Sequence, residues 1–526
     1  MKPTKALRAF LMTCTFFAAA TGAYAQTWKG TSSTSWNTGT NWSGLAVPAA
    51  SAAITFDGTG TNLNTATNAR FTLNSITFSS GQTSQVVINT TAGAVASNAF
   101  TTGTGIRFNS GTNISVAAGN HKLVGTGING GSNYDVLFNG AAGSTHAFDI
   151  ASGASFEIQG RITSGSNTAK GFQKTGDGTL ILSGPNGGGS AWVQGNGFAI
   201  TQGVLRFATT NAGGNSNNNY TVSSGAALEL NGGITSGLGN GTYTLNGTGI
   251  GSNGALRSIS GTNSVSGSGT GGVSLGTTST SIGVDAGSLT ISTVVKGAGG
   301  LTKVGSGTLT LSNTSNNYSG ATLVSGGSLA VNGALTATTD VTVGSGGTLQ
   351  GSGTINSSVT IQSGGILAPG NSIESLGGGA VSFLAGSTYA YEIQTSLFAG
   401  TPNDAADLTY STGTLDIAAG TFLTLTDLAT STALADGSKL TLISYLGGWT
   451  SGELFTYNAA TLADNSVFTI GANQWLFDYD DTAGGPNFSS DQTGATRFVT
   501  MTVVPEPAAA LLGSIGFFVL LRRRRK

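Results

Sequence analysis

A glycine-bearing turn followed by a short run of alternating apolar residues recurs through the chain, and this unit most restricts the fold. In the copy Gly307–Leu311, Leu309 and Leu311 alternate with Thr308 and Thr310. Successive side chains of a β-strand point to opposite faces, so the leucines face one side and the threonines face the other. The pattern therefore predicts short strands that bury one face. Similar units occur at 178–182, 225–230, 287–291 and 327–331.

The spacing of these units distinguishes between β architectures. Three Ser-Gly-Gly turns begin at Ser325, Ser345 and Ser363, 20 and then 18 residues apart, and two or three short strands fit in such a period. A repeat of about 20 residues with glycine corners is typical of a parallel β-helix, in which each coil stacks on the one before. We therefore expect an all-β solenoid in which the leucines of successive coils, such as Leu309 and Leu329, form an interior ladder.

The composition allows such a core and excludes one class of partner. Only 8% of the residues are charged and 85 are glycine, as in a flexible linker, but 38% are hydrophobic and recur in short runs. Eight of the 21 basic residues lie at the two termini, which leaves the body with a net charge of about −8. Between Asp340 and Asp491 the only basic residue is Lys439. Nucleic acid is therefore not an expected partner, because its phosphates require clustered lysine and arginine.

The first 25 residues have the order of a secretory signal peptide, with a basic start, an apolar run and a small-residue ending at 23–25. We expect export through the Sec translocon and cleavage between Ala25 and Gln26. The only cysteine, Cys14, lies in the apolar run, so the mature chain would have no disulfide and no cysteine metal site. A lipoprotein site at Cys14 is the weaker alternative, because Thr13 is larger than the residue usually tolerated before a lipidated cysteine.

The C-terminus carries a second processing pattern. Pro505, Glu506 and Pro507 precede an apolar segment, 508–521, and a basic tail, 522–526. This order resembles the PEP-CTERM sorting signal, which implies an exosortase-type transpeptidase that cleaves near the Pro-Glu-Pro. As a helix the apolar segment spans roughly 21 Å, which is shorter than the roughly 30 Å hydrocarbon core of a bilayer. This length favours a transient inner-membrane anchor over a permanent single-span anchor. The basic tail would stay in the cytoplasm. The predicted anchor and stop-transfer residues are Leu511, Leu512, Phe517, Phe518, Arg522, Arg523, Arg524 and Arg525.

Two segments of the body resemble the autotransporter-associated β-strand repeat. The clearer copy runs from Lys303 to Leu329, and a degraded copy runs from Lys174 to Leu205. Residues 349–393 and the opening of the body are similar to other parts of autotransporter passengers. The resemblance implies a passenger-type β-helix. Autotransporters end in a large outer-membrane barrel, whereas here the repeat region gives way to the sorting pattern, so self-translocation is not implied.

Few residues offer catalytic or metal chemistry. His121 and His146 lie in no recognisable catalytic or zinc motif, and we expect them to be surface strand or turn residues. Carboxylates are better candidates, because β-helical polysaccharide lyases and glycosidases use clustered acids. Asp404 with Asp407, or the acids of 478–481, fit that pattern. We interpret the acidic run 478–481 as a polar hairpin or loop, and calcium binding by that loop is an alternative. We predict no catalytic residue, cofactor or metal site.

These features predict an exported, non-enzymatic surface or extracellular-matrix protein that serves in adhesion or as a scaffold for extracellular polysaccharide. The alternatives are a secreted lyase or glycosidase on the same fold and a carbohydrate-binding protein that uses Trp28, Trp36 and Trp42. We expect these tryptophans to pack an N-terminal cap instead, because a solenoid needs its open end covered. A groove lined by acids of adjacent coils would favour the enzyme, and a flat wall of Thr, Ser and Asn would favour the structural protein.

The expected organisation has five parts, of which the fourth is the least determined. Whether that part continues the rod or forms a separate sandwich stays open at this stage. The parts are a signal peptide (1–25), an N-terminal cap with the first coils (26–170), the repeat solenoid (171–397), an acidic C-terminal β region (398–502) and the sorting signal with its short hydrophobic helix (503–526).

Overall fold

The structure, a computed structural model, describes residues 25–505 except for 91–92, 97–98, 101–104, 127–132, 142, 165–169, 186–196, 215, 277–278, 399–404, 429–430 and 450–453. Within these residues the regular structure is β-strand, apart from three short 3-10 turns at Gly39–Asn41, Ile250–Ser252 and Thr395–Leu397. No helix in this part of the chain is long and apolar enough to cross a bilayer. The predicted signal peptide up to residue 24 and the predicted anchor from Glu506 onward lie outside the described residues.

The strands form parallel sheets, which we call walls, because each strand pairs with the equivalent strand of the next coil. This arrangement confirms the predicted all-β solenoid. The first wall consists of Gln26–Thr27, Ala52–Phe56, Phe71–Phe78, Ile106–Val116, Thr145–Ile150, Gly171–Thr175, Phe198–Ile200, Tyr220–Val222, Thr242–Leu245, Gly272–Leu275 and Val295–Gly297, with Val136–Phe138 and Ile162–Thr163 beside it. A small separate sheet contains Asn133–Tyr134, Gly93–Ala96 and Ala99–Phe100.

The second and third walls follow from the same stacking. The second wall consists of Asn64–Ala66, Val87–Asn89, Asn120–Val124, Ser155–Ile158, Thr179–Leu182, Val204–Phe207, Ala227–Asn231, Leu256–Ser260, Thr280–Val284, Leu301–Val304, Thr322–Val324, Asp340–Val343, Ser358–Ile361, Val381–Phe383 and Leu415–Ile417. The third wall consists of Thr235–Gly237, Thr262–Ser266, Ser288–Ile291, Thr308–Leu311, Gly327–Val331, Gly347–Gly351, Ile366–Pro369, Thr388–Ile393, Thr421–Asp427, Phe455–Tyr457 and Ala460–Thr461.

A fourth sheet continues the first wall toward the C-terminus. The backbone N–H of Asn317 donates to the carbonyl of Val295, and Asn316 forms a parallel bridge with Leu335, the second residue of the fourth sheet. The first wall ends at Gly297, and these contacts join it to the fourth sheet, so the stacking of coils continues without a break. The fourth sheet consists of Ala334–Leu335, Thr354–Ile355, Ser375–Gly378, Leu408–Ser411, Lys439–Tyr445, Arg497–Val504, Asn473–Asp481 and Ser466–Ile470.

The interior of the third wall is a ladder of leucines. Leu289, Leu309, Leu329, Leu349 and Leu367 are register partners on successive strands, at spacings of 20, 20, 20 and 18 residues. Each of them is at most 1% exposed. Thr308 and Thr310, which flank Leu309, face outward and stay partly exposed. The predicted one-sided core and its interior ladder are therefore confirmed.

The two ends of the rod differ in how the stacking is closed. Trp42 packs edge-on against Trp28 and Trp36, with ring centroids 5.0 and 5.5 Å away, and its indole N–H donates to the carbonyl of Trp36. All three are buried, which confirms the predicted packing of an N-terminal cap. At the other end, residues 408–445 continue the parallel stacking, and the last three strands of the fourth sheet, within 466–504, then pair antiparallel.

Candidate functional site

The two repeat copies each hold a buried lysine that clamps backbone carbonyls. Nζ of Lys303 donates to the carbonyls of Val304 at 3.0 Å, Gly305 at 2.8 Å and, one coil further on, Gly326 at 3.0 Å. Lys174 makes the equivalent three contacts in the other copy. Burial lowers the pKa of each lysine to about 8. The repeat lysine is thus an interior clip between coils.

A glycine beside each clip is required by the same close stacking. Gly327 has a φ of 59°, and a Cβ there would lie 2.5 Å from the carbonyl oxygen of Gly305. Gly203 occupies the matching position in the other copy, with a φ of 64° and 2.4 Å to the oxygen of Gly176. A side chain at either position would meet both a left-handed backbone and a backbone oxygen. These glycines therefore permit the coil contact that the lysine completes.

Both histidines are buried, so the expectation that they are surface residues is wrong. His121 stacks on Phe78 at 4.2 Å, its Nδ1 accepts the N–H of Val86, and its Nε2 lies 2.8 Å from the carbonyl of Ala118. His146 lies in a wall strand near Phe138, whose ring centroid is 5.0 Å away. Burial lowers the pKa of both, to about 4 for His146. They are neutral packing groups, because aromatic rings of adjacent coils cover them.

One of the acids singled out in the sequence lies in the interior of the fold. Asp407 is fully buried, and its carboxylate accepts the backbone N–H groups of Glu374 and Glu392. Burial raises its pKa to about 8. It ties together backbone segments of the C-terminal coils and is closed to a substrate. Asp404 lies outside the described residues.

The acidic run 478–481 forms the end of a strand, Asn473–Asp481, and the turn follows it, so the predicted loop begins later than expected. Asp464, Asp478 and Asp480 offer carboxylate oxygens within 4.8 Å of one another. Two of these carboxylates accept backbone N–H groups of neighbouring residues. Asp481, the last acid of the run, forms an ion pair with Lys439 at 2.6 Å. The run therefore mainly satisfies hydrogen bonds at the closing sheet.

The second wall carries a ladder of alternating charges on its outer face. Glu229 receives Arg206 from the preceding coil at 2.7 Å and Arg257 from the following coil at 3.2 Å. Arg257 continues to Asp285 at 2.6 Å. Opposite charges on neighbouring strands favour one register, and each of these acids is neutralised by an arginine. This ladder supports coil stacking and leaves no pair of free carboxylates.

The third wall differs, because its outward positions from Thr262 to Ala390 carry mainly hydroxyl groups and no charge. Glu392, two residues after Ala390, is an outward charged residue of the same wall. One row of register partners continues without interruption from Thr262 to Phe422, and a second row lies two residues further along each strand. The first row is Thr262, Ser288, Thr308, Ser328, Thr348, Ile366, Thr388 and Phe422, and the second begins Ser264, Thr290, Thr310, Ala330 and Gln350. At its C-terminal end the wall opens into a cleft of about 380 Å³ lined by Thr388, Phe422, Leu423, Thr424, Leu425, Thr456, Tyr457, Asn458 and Ala459.

Two segments of the chain match a known repeat family. The passenger-associated transport repeat matches residues 172–207 and 301–331, the segments that hold the two lysine clips. The predicted presence of autotransporter-associated repeats is thereby confirmed. The crystal structure of the Haemophilus influenzae Hap adhesin is similar, with 12% sequence identity and a TM-score of 0.27 over 86% of this chain. The chain covers 55% of that structure. No curated protein matches the sequence.

Of the predicted processing residues, the structure places only those next to the rod. Ala25 is exposed, Gln26 begins the first strand, and Pro505 is exposed directly after the last strand. The clips and the charge ladder were missed from the sequence, although both repeat copies place a lysine two residues before a Gly-x-Gly turn. That repetition of an isolated lysine among apolar residues is the signal that could have revealed the clips.

Proposed function

We propose that this protein is an exported component of the cell surface or extracellular matrix, which acts through the outer walls of its rod in adhesion or in scaffolding extracellular polysaccharide. The match of two segments to the passenger-associated transport repeat carries the proposal. The walls support it, because the acids of the charge ladder are paired with arginines and Asp407 is buried. In the described part of the chain, a polar wall whose charged ladder is paired and whose Asp407 is buried suits binding better than hydrolysis.

The proposed route begins with the Sec translocon and signal cleavage between Ala25 and Gln26. The segment 508–521 then holds the protein in the inner membrane until an exosortase-type transpeptidase cleaves near Pro505–Pro507. The exposed position of Pro505, directly after the last strand, supports this proposal because a protease needs an accessible, extended substrate. The rod is then released to the surface or the matrix.

Fractionation of the producing cells tests the route. The full chain and a variant that lacks 505–526 are compared in inner-membrane, surface and medium fractions, and external protease is applied to intact cells. We expect the full chain to reach the protease-accessible surface, and the deletion to change the ratio of retained to released protein. Identical fractionation of the two chains would refute the sorting route. Protection of the full chain from external protease would refute the surface location.

A further inference from the structure

The hydroxyl groups of the third wall are available to an external ligand. Within the described residues, the side chains of Ser288, Thr290, Thr308 and Thr348 make no hydrogen bond to the protein. Some hydroxyls on the second wall are used within the protein, since Thr302 contacts the hydroxyl of Ser279 and Ser382 donates to Asp416. These four hydroxyls lie on three strands of the third wall, so the wall presents unused donors and acceptors along its length.

The same wall leads to an exposed aromatic ring. Phe422 is the register partner of Thr388 and is 47% exposed, although a large apolar side chain gains free energy by burial. Beyond it a hairpin, Phe455–Thr461, turns at Asn458 and Ala459 and forms the far side of the cleft. The cleft therefore combines an exposed ring with the threonine hydroxyls that line it.

We propose that the third wall and its terminal cleft bind a neutral glycan chain that lies along the axis of the rod. This inference rests on the proposed function and names the partner of the wall. A sugar ring has an apolar face that packs on an aromatic ring and equatorial hydroxyls that exchange hydrogen bonds with threonine and serine. Coils repeat every 4.8 Å or so, close to the length of one hexose, so the contacts recur along the polymer.

The charge of the surface selects a neutral polymer. The outward positions of the third-wall strands from Thr262 to Ala390 carry no charged side chain, whereas the body as a whole is acidic. An anionic polysaccharide would meet no cation on this wall and would be repelled by the surrounding net charge. A neutral chain is not repelled by the net charge of the body and can form hydrogen bonds with the free hydroxyl groups.

Native affinity electrophoresis of the purified full-length protein tests the proposal. The gels contain dextran, hydroxyethylcellulose or galactomannan as neutral probes and alginate as an anionic probe. The test variants are Phe422→Ala in the cleft and the pair Thr308→Glu with Ser328→Glu, which are register partners on adjacent strands of the wall. The matched controls lie on the second wall, where Leu323→Ala removes an apolar side chain that is 37% exposed, and Thr342→Glu with Thr360→Glu adds the same two charges.

We expect at least one neutral polysaccharide to retard the wild-type protein, with apparent affinity about tenfold lower in Phe422→Ala. The wall pair should lower it at least as much, and the second-wall controls should match wild type. Circular dichroism must show that all variants are folded. The inference is overturned if no neutral probe retards the protein, if alginate binds equally well, or if the controls lose as much as the test variants.

Sedimentation separates this inference from two other results. If the third-wall variants dissociate a dimer of the wild-type protein and no glycan effect is seen, the wall is an interface between copies and the glycan proposal is wrong. A protease-accessible surface protein that binds none of the neutral probes overturns this inference alone. A protein protected inside the cell overturns the proposed function itself.

Discussion

Replacing the clip lysine of the second repeat copy, Lys303, should destabilise the rod. Lys303→Met keeps the length of the side chain but removes the ammonium group that holds three carbonyl oxygens at 2.8 to 3.0 Å. A buried carbonyl that loses its donor costs about 1 kcal/mol. We therefore expect the free energy of unfolding to fall by at most about 3 kcal/mol, because methionine also removes the cost of burying a charge. Lys296→Met is the matched control, because Nζ of Lys296 makes one exposed contact, with the carbonyl of Thr270.

Equilibrium urea unfolding, followed by circular dichroism, measures this difference. Lys303→Met should shift the midpoint to lower urea with little change in slope, and the Lys296→Met control should stay within about 0.5 kcal/mol of wild type. Hydrogen exchange should show the loss of protection centred on residues 301–331. A variant of Lys303 as stable as the control would show that the carbonyl contacts do not hold the coils together.

The same lysine gives a pH dependence of defined sign. Burial lowers the pKa of Lys303 to about 8, from an ordinary value of 10.5, so the unfolded chain binds more protons between these pH values. Lys303 should therefore contribute a rise in the free energy of unfolding between about pH 8 and 10.5. Over this range the wild-type protein should gain stability relative to Lys303→Met, because the variant lacks that contribution. An equal rise in both proteins would contradict this assignment.

Three further substitutions probe other parts of the rod. Because burial lowers the pKa of His146 to about 4, the melting temperature should fall as the pH drops below about 6.5. His146→Phe should make this fall smaller. An equal dependence of melting temperature on pH in both proteins would argue against a buried neutral ring. Leu329→Ala should lower the free energy of unfolding, measured in urea, by about 3 kcal/mol, whereas the outward Leu323→Ala should lower it by less than about 1 kcal/mol. Similar losses in the two variants would contradict the interior ladder of leucines. Ala459→Gly should raise stability by about 1 kcal/mol, since Ala459 has a φ of 62°, and a lower melting temperature would contradict this.

The alternation of residues was sufficient to predict which side chains face inward. Leu309 is buried and Thr308 faces outward, because a strand places successive side chains on opposite faces whatever its neighbours are. The spacing of glycine turns likewise predicted the parallel stacking, since a period near 20 residues suits a single coil. Local periodicity thus gives the core of this fold, and the tryptophan cap follows from the need to cover its end.

Features that depend on a neighbouring coil were not predictable in the same way. His121 is buried because Phe78, 43 positions earlier, stacks on it, and one of the clip contacts of Lys303 comes from Gly326 in the next coil. The exposed position of Phe422 also depends on how the hairpin 455–461 leaves part of the preceding strand uncovered. Such contacts need the register between coils, which the pattern of a single strand does not contain.

A pair of engineered cysteines tests the stacking of the coils most directly. Thr308 and Ser328 are register partners on adjacent parallel strands, where Cα atoms lie about 4.8 Å apart, within the range that a disulfide spans. In a Cys14→Ser background, Thr308→Cys with Ser328→Cys should oxidise to an intramolecular disulfide, seen by mass spectrometry, whereas Thr308→Cys with Thr342→Cys, on different walls, should not. Failure of the first pair to close, or equal closure of both pairs, would contradict a solenoid of stacked coils.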